Sequence, residues 1–150
     1  KTLAPKLALL EEGVARRTDG KTMKDIEIVG IAQLMLTDDV RGALDFARQT
    51  VALYVGGMGA QSKNFHNDAM VERGYAAEAA RIQELFMAGH KDEAAATVPD
   101  EFIEEGALIG PEARLAERFA AWRDSGFTLV RFGRPSIPAM EAMARIARKD

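Results

Sequence analysis

Ile26-Glu27-Ile28-Val29-Gly30-Ile31-Ala32-Gln33-Leu34-Met35-Leu36 is the stretch on which the fold turns. Apolar residues fill nearly every position instead of alternate ones, which suits a strand covered on both faces, as in a parallel sheet. A buried helix is the competing reading, and Gly30 weakens the strand slightly. Just downstream, Thr37-Asp38-Asp39 supplies short side-chain oxygens to cap orphan amides and acid to meet the positive end of a helix. Val40, Leu44, Ala47, Val51 and Tyr54 then recur on one helical face. Upstream, Leu3, Leu7, Leu10 and Val14 predict an amphipathic helix over about 3–17, closed by Thr18-Asp19-Gly20.

Further along, Gly56-Gly57-Met58-Gly59 breaks the second helix. From Asn67 to about Glu105 the chain reads as short, alanine-rich helical pieces punctuated by Gly74, Gly89 and Val98-Pro99, with nothing resembling a strand. Gly110-Pro111-Glu112 opens a helix with Pro in its first turn, striped by Ala113, Leu115, Phe119 and Trp122 and ended by Ser125-Gly126. Phe127-Thr128-Leu129-Val130-Arg131-Phe132 reads as a second strand, and a helix follows from about Ile137 to Arg148. Strands separated by helices imply parallel pairing through right-handed crossovers. Two strands alone make a poor sheet, and the chain has few elements with which to bury them. The expected fold is therefore α/β and helix-rich: the C-terminal portion of a (β/α)8 TIM barrel, with two parallel strands at about 26–36 and 127–132. Residues 1–150 would belong to one barrel domain, with a helical insertion at about 38–106. A whole barrel needs about 250 residues, and the first residue is Lys1 rather than Met. The expectation is that an N-terminal barrel half is missing.

Composition narrows the function. The 150 residues are 47 % hydrophobic and 29 % charged, with a net charge of −3 and no cysteine. A general nucleic-acid binder would carry a basic excess. No apolar run approaches the ~18 residues of a membrane span. Lack of cysteine removes disulfides, thiolate nucleophiles and cysteine-based metal sites, and fits a cytoplasmic protein. The Gly56–Gly59 cluster follows a helix instead of a strand, which argues against a dinucleotide loop. His66 has Asp68 nearby to orient its imidazole, whereas His90 lies in a charged turn. Neither histidine has a persuasive metal spacing, so no metal is expected. Ser62, Ser125 and Ser136 lack a nucleophile-elbow context. Adjacent Glu11-Glu12 and Glu104-Glu105 point apart on a helix. Two residues gain interest from where a barrel would put them, at the C-terminal ends of strands. Gln33 is polar in an apolar strand and needs a partner if buried, and Arg134 follows the last strand.

Tyr54-Val55-Gly56-Gly57-Met58-Gly59-Ala60 and Lys63-Asn64-Phe65-His66-Asn67-Asp68 resemble a run in luciferase-like monooxygenases, specifically their deazaflavin-dependent branch. Gly74-Tyr75, Gly89 to Ala96 with Val98-Pro99-Asp100, and Leu108-Ile109-Gly110-Pro111 leading to Arg118–Trp122 extend the resemblance from about Leu7 to Val130. It implies a barrel whose seventh and eighth strands correspond to 26–36 and 127–132. It also implies hydride transfer between coenzyme F-420, a deazaflavin, and a small organic substrate. Most cofactor-binding positions of the family lie on earlier strands, so catalytic residues stay unassigned. Asn64, Phe65 and His66 match the family run and join Gln33 and Arg134 as pocket candidates. The chain alone is expected to be inactive, and the full-length protein leaves room for a homo-oligomer. Alternatives are an FMN-dependent luciferase-like monooxygenase and a non-enzymatic helical interaction domain.

Overall fold

The computed structural model describes residues 3–59 and 63–148; Ala60 and Ser62, named above, lie outside the described residues. Helix α1 (Leu3–Ala15) and a 3-10 turn (Met23–Asp25) lead into β1 (Val29–Leu36). The strand starts three residues later than its apolar run: the preceding turn, capped by Thr22 and Asp25 (Thr22 N donates to Asp25 at 2.7 Å), ends at Ile26, and Ile28 N donates to the Thr128 side chain at 2.8 Å instead of to a backbone carbonyl. Helix α2 (Val40–Ala52) is capped by Asp39, which accepts from Gly42 N at 2.9 Å. A π-helical turn (Leu53–Gly57) follows, then α3 (Phe65–Glu72), α4 (Ala76–Met87), α5 (Lys91–Ala96) and α6 (Asp100–Glu104). Next come β2 (Ala107–Gly110), α7 (Glu112–Arg123), β3 (Leu129–Gly133) and α8 (Ile137–Ala147).

The two expected strands pair in parallel, but they are not alone. The sheet has three strands in the order β2-β1-β3, all parallel. Strand β2 corrects the expectation of two strands. It has only four residues, Ala107 to Gly110, too few for any period to show, and Gly110 reads as the opening of the following helix. Strand β3 begins at Leu129 rather than Phe127: the Thr128 hydroxyl accepts from Ile28 N, and the Phe127 side chain packs on the helical face. Its ring stacks on Trp122 (centroids 5.7 Å apart, 25° between planes) and crosses β1 at Gly30. A Cβ at Gly30 would lie 2.8 Å from that ring, so glycine is what permits the crossing.

Register fixes which residues share a face. Gly30, Ala32 and Leu34 are buried, while Val29, Ile31, Gln33 and Met35 are exposed. On β3, Leu129, Arg131 and Gly133 are exposed and pair with Val29, Ile31 and Gln33. The expected cover on both faces is thus provided on one face only. Leu34 and Leu108 pack with Leu115 of α7 and Ala139, Met143 and Ile146 of α8. A second core, centred on Ala47, Val55, Met70, Ile82 and Ala94, joins the helices from α2 to α6. Ala107 and Ile109 belong to that second core, so β2 is buried on both faces and forms the seam between the two.

Candidate functional site

The bare face of β1 and β3 is the first place to look. Its apolar residues are Val29, Ile31, Met35 and Leu129, with Ile31 64 % exposed. A continuous apolar plane of this kind usually marks a surface that something covers. Gln33 is exposed on it, so the requirement for a buried partner falls away. It also occupies the row where all three strands meet, paired with Ala107 on one side and Gly133 on the other. Arg134 follows Gly133 and is exposed, so the register brings Gln33 and Arg134 to the same end of β3. Arg131 faces the same side as Gln33 and escaped sequence reading. Its signal was available as alternation along Leu129-Val130-Arg131-Phe132-Gly133, which puts residues 129, 131 and 133 on one face.

Asn64, Phe65 and His66 form a second group, on the helical part. Asn64 is only 4 % exposed and caps α3. Its Oδ1 accepts from His66 N at 3.0 Å and Asn67 N at 3.2 Å, and its Nδ2 donates to Val55 O at 2.8 Å and Tyr54 O at 3.2 Å. In this arrangement the amide has no capacity left for a ligand. Asn67 adds donations to Val55 O (3.3 Å) and Ala79 O (3.0 Å). Together the two asparagines tie the π turn to α3 and α4. The half-buried His66 ring rests against Tyr54, with centroids 4.7 Å apart, and Phe65 meets it edge-on at 5.6 Å. Phe65 is 78 % exposed. Gly56 and Gly57 serve packing: an added Cβ would lie 2.5 Å and 2.4 Å, respectively, from Phe86 side-chain atoms.

Charged side chains reinforce the helical part. The buried Arg48 guanidinium donates to Val98 O at 3.1 Å and pairs with Asp45 and Asp100. Arg41 meets the same two carboxylates at 3.3 and 3.6 Å. This network pins α2 to α6 and neutralises an otherwise costly buried charge. Arg73 donates to Glu105 at 2.8 Å with its guanidinium 3.8 Å from the centroid of the Phe102 ring, and the Tyr75 hydroxyl donates to Glu105 at 2.9 Å. Burial, and then Glu105, hold the Tyr75 phenol above its ordinary range. Arg73, Glu105, Ile31, Trp122 and Phe127 line a cleft of about 530 Å³ beside β1. Among the described residues no group of three His, Cys, Asp or Glu side chains could hold a metal ion, and no helix is long and apolar enough to cross a membrane.

Comparison with known proteins agrees with the sequence resemblance. A family model described as luciferase-like monooxygenase matches residues 1–129. A Mycobacterium tuberculosis protein, named for an inferred coenzyme F-420-dependent oxidoreductase activity, is 36 % identical over 121 residues. That match covers 81 % of this chain but only 35 % of the relative, so the chain spans about a third of the relative's length.

Proposed function

The chain belongs to the luciferase-like monooxygenase family, and from that premise we propose that it contributes the C-terminal part of a (β/α)8-barrel oxidoreductase exchanging a hydride between coenzyme F-420 and a small organic substrate. The observation that carries this reading is the one-sided sheet. Helices α7 and α8 cover one face of β1 and β3, while the other is apolar and uncovered. In a parallel barrel the outer face of every strand meets helices and the inner face meets the other strands. The relative has ample further length to supply such strands. A stand-alone helical interaction domain would instead shelter its own strands.

The apolar character of this face is compatible with the flat, largely apolar ring of a deazaflavin at its C-terminal end. Val29, Ile31, Met35 and Leu129 lie in one plane, and no carboxylate of β1 or β3 shares it. When bound, the deazaflavin supplies the two-electron hydride chemistry. Met35, near the C-terminal end of β1, would pack against the ring and exclude water there, whereas Val29, Ile31 and Leu129, nearer the strand starts, would meet neighbouring barrel strands. The naming of the relative favours F-420 over FMN as the cofactor.

Titrating the intact protein with each cofactor, followed by fluorescence, tests the assignment. F-420 binding is expected, whereas tight FMN binding without F-420 binding would reject it. The chain by itself is expected to show no turnover, because most of the site's walls would come from other strands.

A further inference from the structure

We propose that residues 40–109 form a unit that keeps its fold when α7 opens away from it, and that Glu104 is the clasp coupling the two. Every buried residue of the second core, from Ala43 to Ile109, comes from this span. So do the polar ties described above. Arg48 holds Asp100 and Val98 O, Arg73 and Tyr75 hold Glu105, and Asn64 and Asn67 hold the π turn. A unit whose apolar core and polar partners lie in one stretch of chain can stay folded through the opening of a neighbour. None of these contacts uses the bare face of β1 and β3, so they do not depend on strands supplied from elsewhere.

Helix α7 is joined to this unit at the last residue of α6. The Glu104 side chain, only 18 % exposed, pairs with Arg114 and meets Arg118 Nη1 at 3.2 Å. Arg118 Nη2 also donates to Glu104 O at 2.9 Å. Two guanidinium groups of one helix thus converge on one residue of the unit. The fit is incomplete: Arg118 Nε is buried and has no hydrogen-bond partner among the described residues. Atoms of this chain already seal that N–H, so no further strand could reach it. Opening would wet it and recover part of its desolvation cost, which makes the α6–α7 seam the place that yields first. Arg118 and Trp122 of α7 line the cleft beside β1 together with Arg73 and Glu105 of the unit, so opening α7 would also widen that cleft.

Hydrogen exchange of the intact protein, followed by mass spectrometry in a series of sub-denaturing urea concentrations, tests the proposal. In the parent, amides of α2, α4 and α5 should share one opening free energy, and those of α7 should exchange through a separate, lower-energy opening. Glu104→Gln should speed exchange in α7 at least about tenfold, the loss expected for a charge-assisted contact, and leave α2, α4 and α5 at the parent's rates. Equal acceleration of all four helices would show one cooperative body and overturn the unit. Unchanged exchange in α7 would overturn the clasp. Should Glu104→Gln fail to fold, the parent's urea series decides alone: a lower-energy opening of α7 supports the proposal, and a shared or higher-energy one overturns it.

Discussion

Asn64→Ala separates a structural asparagine from a ligand-binding one. The amide gives up four hydrogen bonds in this variant. Loss of the α3 cap costs about 1 kcal/mol. On the donor side, Tyr54 O loses one partner, whereas Val55 O keeps Asn67 Nδ2 at 3.3 Å. That adds at most about 1 kcal/mol for a part-buried carbonyl left short. The expected destabilisation is therefore at most about 2 kcal/mol, which lowers a urea midpoint by at most about 1 M at ordinary denaturant sensitivity. Two companions divide the effect. Asn64→Ser keeps the capping oxygen and should lose about half as much. Asn64→Asp keeps the cap but aims a carboxylate at two carbonyls, and should be at least as damaging as alanine. Urea unfolding of the intact protein followed by circular dichroism reads all three, with cofactor affinity measured alongside. An alanine variant with an unmoved midpoint and lost cofactor affinity would refute the reasoning and put Asn64 on the ligand.

Gly57→Val would set a Cβ 2.4 Å from Phe86 Cε1, and this overpacking should cost about 1–3 kcal/mol; adding Phe86→Ala should recover part of it in a double-mutant cycle. Leu108→Ala removes a fully buried side chain from the core beneath α7 and α8, with an expected loss of about 2–5 kcal/mol by thermal or urea unfolding. The phenol of Tyr75 is held up by burial and by Glu105, so Glu105→Gln should move its phenolate absorbance step down toward about 10. Because the folded value is the raised one, the stability it reflects is present below about pH 10 and is lost as pH rises through the folded value. Above about pH 10 the parent should lose stability more steeply than Tyr75→Phe.

Physical range explains what the sequence could disclose. The apolar run at 26–36 announced a strand because both sides of β1 are apolar. That same pattern cannot say whether both sides are covered by residues of this chain, and one is not. The pairing of β1 with β3 followed from the crossover rule. Strand β2 stayed hidden because four residues carry no period, and their burial comes from helices as far away in sequence as α2. Gly56-Gly57 was legible as the end of a helix. The ring that presses on those glycines belongs to Phe86, some thirty residues on, and no local pattern announces it. Asn64 stood at a readable capping position, but its donations to Tyr54 and Val55 depend on the π turn bringing those carbonyls back toward it. Arg131 could have been found by applying the two-residue period to β3.

The seam at β2 connects these local facts to the site. Ala107 and Ile109 share the face of Gln33 and Met35, yet they are buried where the β1 residues are bare. The core of helices α2–α6 therefore covers the β2 end of that face and stops at β1. A ligand lying on β1 and β3 would have the helical part as a wall on one side, with Arg73 and Glu105 in the cleft beside Ile31. The polar groups available on the plane itself are Gln33, on β1 beside Ala107, and Arg131, one strand farther from that wall. Each of the two strands thus carries apolar residues and one polar group, Gln33 between Ile31 and Met35 and Arg131 two residues past Leu129, an arrangement that can orient a flat ligand as well as hold it.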